Sequence, residues 1–427
     1  MEKFVIQGGC SLKGEVTISG AKNAVLPILA ATVLAKDVCI IENVPEINDV
    51  GVSFRILSEL GAKITPIRRN TIEIDTRHIN SVSVPYELAR LMRSSYYYMG
   101  SLLSRFGRSR VSMPGGCDFG TRPIDFHLRA FETLGANVAL ENGIVELTAD
   151  HLVGAQIFFD TTSVGATINT MLAAVSAEGV TIIENAAKEP HIVDLANFMN
   201  SMGADIRGAG TDVIKIHGVQ ELHGTTYSII PDQIEAGTFM VAAAATHGEV
   251  LIRNVIPKHL EAITSRLIKV GARVTEFDDA VLVQGPEVLE ACTFKTMPHP
   301  GFPTDMQPQM TALLTMAQGT SRVTEGIFDH RFKYVDELRR MGANIQVSGR
   351  TATVVGVERL SGAPVHACDL RAGVAMMIAA LMADGVSEIE DIHYIERGYD
   401  DIERKFSDLG ANIRKVMVPG GMLENVG

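Results

Sequence analysis

Positive charge is in deficit in this sequence: 38 Lys and Arg stand against 50 Asp and Glu, a formal net charge of −12. Nucleic-acid binding through bulk charge is thereby excluded, and any anion site must concentrate its cations in one place. Long apolar runs are missing, so no membrane span is expected. The first residues, Met1-Glu-Lys-Phe-Val-Ile-Gln-Gly-Gly-Cys10, reach glycine before a signal-peptide core forms, which points to the cytoplasm. Cysteine is sparse: Cys10, Cys39, Cys117, Cys292 and Cys368 are scattered, with no Cys-x-x-Cys pair and no clustered histidines. Neither a disulfide framework nor a metal site is expected, and a reducing compartment fits. The sequence has no Gly-x-x-x-x-Gly-Lys-Ser/Thr loop, which sets aside a P-loop nucleotidase. No histidine accompanies a cysteine in sequence, which weakens a cysteine hydrolase.

What is present is a repeat. A Gly-Ala pair after an apolar residue recurs at Gly61, Gly135, Gly203, Gly271, Gly342 and Gly410. Successive differences are 74, 68, 68, 71 and 68 residues, too regular for chance. Each pair closes an amphipathic stretch, so glycine is expected at a helix C-terminus with a strand to follow. Each copy also holds an earlier, alanine-rich helix that is apolar nearly all round and belongs inside a domain. These buried helices are expected to start near Ala21, Leu91, Ser163, Glu235, Thr304 and Leu370. Three copies make a domain of ordinary size, so the chain divides into residues 22–229 and a second domain of residues 1–21 with 230–427.

Against this scaffold a few residues stand out. Lys22, Arg93 and Arg371 fall at starts of buried helices, where a cation is unfavourable unless an anion compensates. Asp232 and Asp369 fall there too, as ordinary N-caps. The segment Met113-Pro-Gly-Gly-Cys-Asp-Phe-Gly-Thr-Arg-Pro123 reads as a mobile glycine loop carrying one thiol, Cys117, and one guanidinium, Arg122. Arg122 lies thirteen residues before Gly135 and Arg397 thirteen before Gly410, while Arg331 lies eleven before Gly342. Fixed cations, a thiol and the carboxylate of Asp305 suit a substrate with more than one anionic group.

With Ser19-Gly-Ala-Lys-Asn-Ala24, Pro114-Gly-Gly-Cys-Asp-Phe-Gly-Thr-Arg-Pro123, Ser163-Val-Gly-Ala-Thr167, Gly301-Phe-Pro-Thr-Asp-Met-Gln307, Asp369-Leu-Arg371 and Arg397-Gly-Tyr399 in place, the chain closely resembles a known family. That family is the UDP-N-acetylglucosamine 1-carboxyvinyltransferases, enolpyruvyl transferases of peptidoglycan synthesis. The resemblance covers nearly the whole chain. It implies an α/β fold of two inside-out α/β barrels, three repeats each, with the active site in the cleft between them. It implies addition of the sugar 3-hydroxyl to C2 of phosphoenolpyruvate, protonation of C3, and loss of phosphate, with no metal or cofactor. By motif match, Lys22, Asn23, Arg122, Arg331, Arg371 and Arg397 bind phosphoenolpyruvate. Asn23, Arg93, Arg122, Pro123, Ile124, Asp125, Phe126, Ser163, Val164, Gly165, Asp305 and Ile327 line the sugar-nucleotide site. Lys22 and Arg397 assist the chemistry, Asp305 is the candidate base, and Cys117 is the candidate acid, the site of a covalent adduct and the target of fosfomycin. A cytoplasmic monomer without nucleic-acid partner is expected. Thr161 departs from the lysine or aromatic residue that many members place beside the nucleotide. Two alternatives remain open at this point: a related transferase with another acceptor, and a silent paralogue that only binds sugar nucleotide.

Overall fold

The computed structural model describes residues 2–113 and 124–417. The chain forms two compact units. One is Ser19–Asp232 with Pro298–Pro300; the other takes the stretch ending at Ile18, Gln233–Met297, and the stretch from Gly301 onward.

Both units repeat one pattern: strand, buried helix, strand, surface helix, hairpin. The surface helices end as the sequence predicts. All six glycines lie in the left-handed region, with φ between 92° and 106°, and the following alanine N–H donates back to a carbonyl five residues earlier. Ala62 N–H reaches Leu57 O at 2.9 Å, for example, and Gly61 N–H reaches Ser58 O at 3.0 Å. This is a Schellman turn, and glycine fills it because it carries no Cβ to penalise positive φ.

Each repeat contributes to a four-stranded sheet with one parallel and two antiparallel pairs. In the repeat of Tyr97–Phe106 the order is Ser83–Val84, Arg108–Ser112, Ile144–Thr148, Asn137–Glu141. The sheets present alternating buried and exposed residues, as half-buried strands should. The helices Lys22–Ala31, Tyr97–Phe106, Val164–Ala174, Gln233–Ala245, Gln307–Leu314 and Leu370–Met382 lie inside. Leu370–Met382 is buried from Leu370 to Leu381, which explains its lack of a polar face. Within each unit, helices are inside and sheets outside.

Three strands come from far along the chain; one, Lys13–Thr17, pairs in parallel with Glu249–Arg253. Thr226–Ser228 pairs in parallel with Val38–Glu42, completing the sheet of the first repeat. Glu2–Gln7 lies between Val386–Glu390 and Asn412–Met417, completing the sheet of the last.

One expected helix start needs correction. The second buried helix does not begin near Leu91, which is 43% exposed. Met92 is extended (φ −144°, ψ 138°), a 3-10 turn covers Arg93–Tyr96, and the helix begins at Tyr97. The three consecutive tyrosines after Ser95 need burial more than Leu91 does, and they set the register.

Candidate active site

Three of the cations that the sequence singles out, Lys22, Arg331 and Arg371, are held by carboxylates of their own unit. Lys22 opens the helix Lys22–Ala31 and is 8% exposed; its Nζ lies 2.9 Å from Asp49 Oδ2. The residue before it, Ala21, has no oxygen to cap the helix. Asp232 supplies one, accepting the Lys22 N–H on Oδ2 at 3.0 Å. Asp232 therefore serves a helix start 210 residues away in sequence. Asn23 follows Lys22 in the first helical turn.

A second group forms in the same unit. Arg93 begins its 3-10 turn with its guanidinium 5.5 Å from the Tyr96 ring centroid. Tyr96 meets His127 edge-on at 5.0 Å. Gly165, in the helix capped by Ser163, approaches both so closely that a Cβ there would lie 2.4 Å from the Tyr96 hydroxyl and 2.7 Å from His127 Nε2. Ser163 Oγ accepts the Ala166 N–H at 3.3 Å, and Val164 starts the helix. Ile124 is buried, Asp125 opens the helix Asp125–Thr133, and Phe126 packs 6.0 Å from Phe159. Thr161 is exposed. The structure thus gathers Arg93, Gly165 and the 124–127 segment around Tyr96 and His127, neither of which was singled out from sequence. Burial, reinforced by the charge of Arg93, pushes the His127 imidazole down to about 3, so it is neutral near pH 7.

In the other unit, Asp305 lies in the 3-10 turn Thr304–Met306 ahead of Gln307–Leu314. Its Oδ1 is 3.4 Å from Arg331 Nη2, and its Oδ2 is 3.1 Å from Arg371 Nη2 and 3.2 Å from Arg371 Nε. The two arginine side chains are 2% and 3% exposed, whereas the Asp305 side chain is 27% exposed. Arg371 is set by Asp369, whose Oδ1 accepts the N–H groups of Arg371 and Ala372 at 2.8 and 3.0 Å. That is the N-cap the sequence predicts. The Arg371 guanidinium also stacks 5.3 Å from the Tyr399 ring centroid, two residues past Arg397, which ends the turn Ile392–Arg397. Gln309 Nε2 donates to the backbone oxygen of Asp305 at 2.9 Å. Ile327 donates its N–H to Glu325 at 2.8 Å.

Cys117, Arg122 and Pro123 lie outside the described residues. Among the described residues, no group of three or more His, Cys, Asp or Glu is placed to hold a metal ion, and no helix is long and apolar enough to cross a membrane. The described side chains offer fixed charge: guanidiniums and an ammonium suited to anions, and a partly exposed carboxylate suited to accept a proton.

Known proteins with these features are numerous. The profile of the EPSP synthase (3-phosphoshikimate 1-carboxyvinyltransferase) family matches residues 6–406. A UDP-N-acetylglucosamine 1-carboxyvinyltransferase 2 from Clostridium acetobutylicum is 55% identical over 416 residues, 97% of this chain and 99% of that one. A UDP-N-acetylglucosamine 1-carboxyvinyltransferase from Clostridium botulinum is 56% identical over 414 residues, with 97% and 99% covered. Among solved structures, the enolpyruvyl transferase NikO from Streptomyces tendae superposes with a TM-score of 0.89 at 27% identity, covering 98% of this chain and 99% of that one. An EPSP synthase from Acinetobacter baumannii shares the fold, with a TM-score of 0.75 at 18% identity over 98% of this chain and 100% of that one.

Proposed function

The chain belongs to the UDP-N-acetylglucosamine 1-carboxyvinyltransferases, within the EPSP synthase family, and on that premise we propose that it transfers the enolpyruvyl group of phosphoenolpyruvate to the 3-hydroxyl of UDP-N-acetylglucosamine. This is the first committed step of peptidoglycan synthesis, carried out in the cytoplasm by a monomer. The observation that carries the assignment of roles is the convergence of Arg331 and Arg371 on the partly exposed Asp305.

The reaction runs by addition and elimination. Asp305 takes the proton of the 3-hydroxyl as its oxygen bonds to C2 of phosphoenolpyruvate, and the Cys117 thiol gives a proton to C3. A thiol with an ordinary pKa of about 8.5 is mostly protonated near pH 7 and can donate. The tetrahedral adduct then loses a proton from C3 and inorganic phosphate from C2, restoring the double bond. Lys22, Asn23, Arg122, Arg331, Arg371 and Arg397 hold phosphoenolpyruvate, and their charges stabilise the departing phosphate. The sugar nucleotide is held by Asn23, Arg93, the 122–126 segment, Ser163 to Gly165, Asp305 and Ile327. Cys117 also attacks bound phosphoenolpyruvate to give a covalent adduct, and fosfomycin alkylates the same sulfur.

The decisive measurement is phosphate release from phosphoenolpyruvate with UDP-N-acetylglucosamine and, separately, with shikimate 3-phosphate. Release with the sugar nucleotide alone is expected. Release with shikimate 3-phosphate alone would assign another acceptor, and release with neither would leave a binding protein. Intact-mass analysis after fosfomycin treatment is expected to place one adduct on Cys117; an adduct on another cysteine would remove its assigned role.

A further inference from the structure

In three of the six repeats the strand that follows the buried helix ends on a position with one task. After Val38–Glu42, Val180–Glu184 and Glu249–Arg253 the next residue is asparagine, and all three have φ of 56°. The amides of Asn43, Asn185 and Asn254 donate to Ile229 O, Phe159 O and Ile18 O at 2.9, 2.7 and 2.7 Å. The side chain thus ties its strand end to the segment beside it. After Thr320–Thr324 the same position is Glu325, which cannot donate in this way and is not in the positive-φ region.

Glu325 is 1% exposed, and the groups around its carboxylate all donate. Oε1 accepts from Thr296 Oγ1 at 2.8 Å, Ile327 N–H at 2.8 Å and Phe328 N–H at 3.2 Å. The Thr304 hydroxyl lies 3.1 Å from Oε1 and 3.0 Å from Oε2. Thr304 immediately precedes Asp305. Phe328 leads to Arg331, whose guanidinium sits 5.7 Å from the Phe328 ring centroid. One buried carboxylate therefore joins the turn that carries Asp305 to the loop that carries Ile327 and Arg331.

We propose that Glu325 is a positioning residue that fixes Asp305 against Arg331. This rests on the enolpyruvyl transfer proposed above for the role of Asp305. Glu325 touches no reacting atom, and it acts by setting the Asp305–Arg331 separation of 3.4 Å. Misplacement of a reacting group by about 1 Å costs on the order of 100-fold in rate.

Glu325→Gln is the direct test, because a carboxamide turns N–H groups toward neighbours that already donate. Its kcat is expected to fall about 30-fold or more, with KM for phosphoenolpyruvate changed by less than about threefold. Thr304→Val, which deletes one link, is expected to lose about tenfold in kcat, and Thr304→Ser, which keeps the hydroxyl, to stay within about twofold. A folded Glu325→Gln enzyme with kcat within about twofold of the parent would overturn the proposal, as would a Thr304→Ser variant as slow as Thr304→Val. If Glu325→Gln does not fold, the threonine pair carries the kinetic test. A crystal structure of Thr304→Val or Glu325→Gln gives a readout independent of substrate. Asp305 and Arg331 are expected to separate beyond hydrogen-bond distance, and an unchanged separation would refute the clamp. A parent enzyme inactive with UDP-N-acetylglucosamine would instead count against the proposed reaction, and the structural readout would still judge Glu325.

Discussion

The two units solve the same electrostatic problem differently. In the unit of Ser19–Asp232, a single ammonium, Lys22, meets a carboxylate, Asp49, that is itself 3% exposed. In the other, two buried guanidiniums share Asp305, whose side chain is 27% exposed. Both place a cation at the start of an apolar helix, a position that disfavours it, and both relieve the strain with an internal anion. The difference lies in access. Asp49 is sequestered and reads as a counter-ion, whereas Asp305 opens to solvent and can receive a proton. Cations at the starts of two buried helices thus meet a sequestered carboxylate in one unit and a solvent-open one in the other.

That contrast can be broken at its stronger end first. Asp305→Asn is expected to lower kcat about 1,000-fold, with some loss of stability beside it because two buried guanidiniums lose a charged partner. Loss of less than about tenfold would deny it the role of base. Asp49→Asn should act mainly on stability, costing about 3 kcal/mol because it removes the charged partner of a buried cation. Unfolding in urea measures that loss, and a variant as stable as the parent would show that Asp49 is no counter-ion.

Smaller effects come from pH within the unit that holds Lys22. The folded protein keeps His127 neutral down to about pH 3, whereas the unfolded chain protonates it near 6.5. Its contribution is therefore lost as pH falls from 6.5, at about 1.4 kcal/mol per pH unit. Asp194 runs the other way. Burial raises its carboxyl from 3.8 to about 6, although Tyr227 Oη donates to it at 2.6 Å. Its contribution is full below 3.8 and is lost as pH rises toward 6. Between these limits the two slopes oppose one another. Unfolding at pH 4.5 and pH 6 is expected to show stability rising more steeply with pH in Asp194→Asn than in the parent, and less steeply in His127→Asn. Equal slopes in all three proteins would contradict the burial of both groups.

The smallest effect compares the helix ends. Gly342→Ala meets nothing within 4 Å and should cost only the positive-φ penalty, about 1 kcal/mol. Gly61→Ala adds contact with His78 O at 2.9 Å and should cost more. Equal midpoints in urea would show that the turn relaxes freely in both units.

The repeat was legible because its signals are local. Gly61, Gly135 and their equivalents mark left-handed helix ends, and alanine-rich stretches mark helices without a wet face. Asp369 was legible for the same reason, as a cap two residues from the N–H it serves. Asp49, Asp232 and Glu325 were not, because what they do depends on residues brought together by folding. Asp49 looks like an ordinary acid in a first helical turn, and the sequence around Asp232 says nothing of its bond to the Lys22 N–H. The nearest signal for Glu325 was positional: aligning the strand ends across the repeats gives asparagine at Asn43, Asn185 and Asn254 and other residues at Met113, Glu325 and Asp391. Tyr96 and His127 were obscured by the misplaced helix start at Leu91, which put Arg93 in the wrong frame.

The strand Glu2–Gln7 carries a consequence for biosynthesis. It sits in the middle of a sheet whose other members include Val386–Glu390 and Asn412–Met417. A ribosome makes this strand long before those partners, so the nascent chain must carry it unpaired until they emerge. The segment Ser19–Asp232 faces no such delay, because the sheet partners of its strands lie within it. Translation should therefore complete the sheets of one unit early, with Glu2–Gln7 waiting for the other.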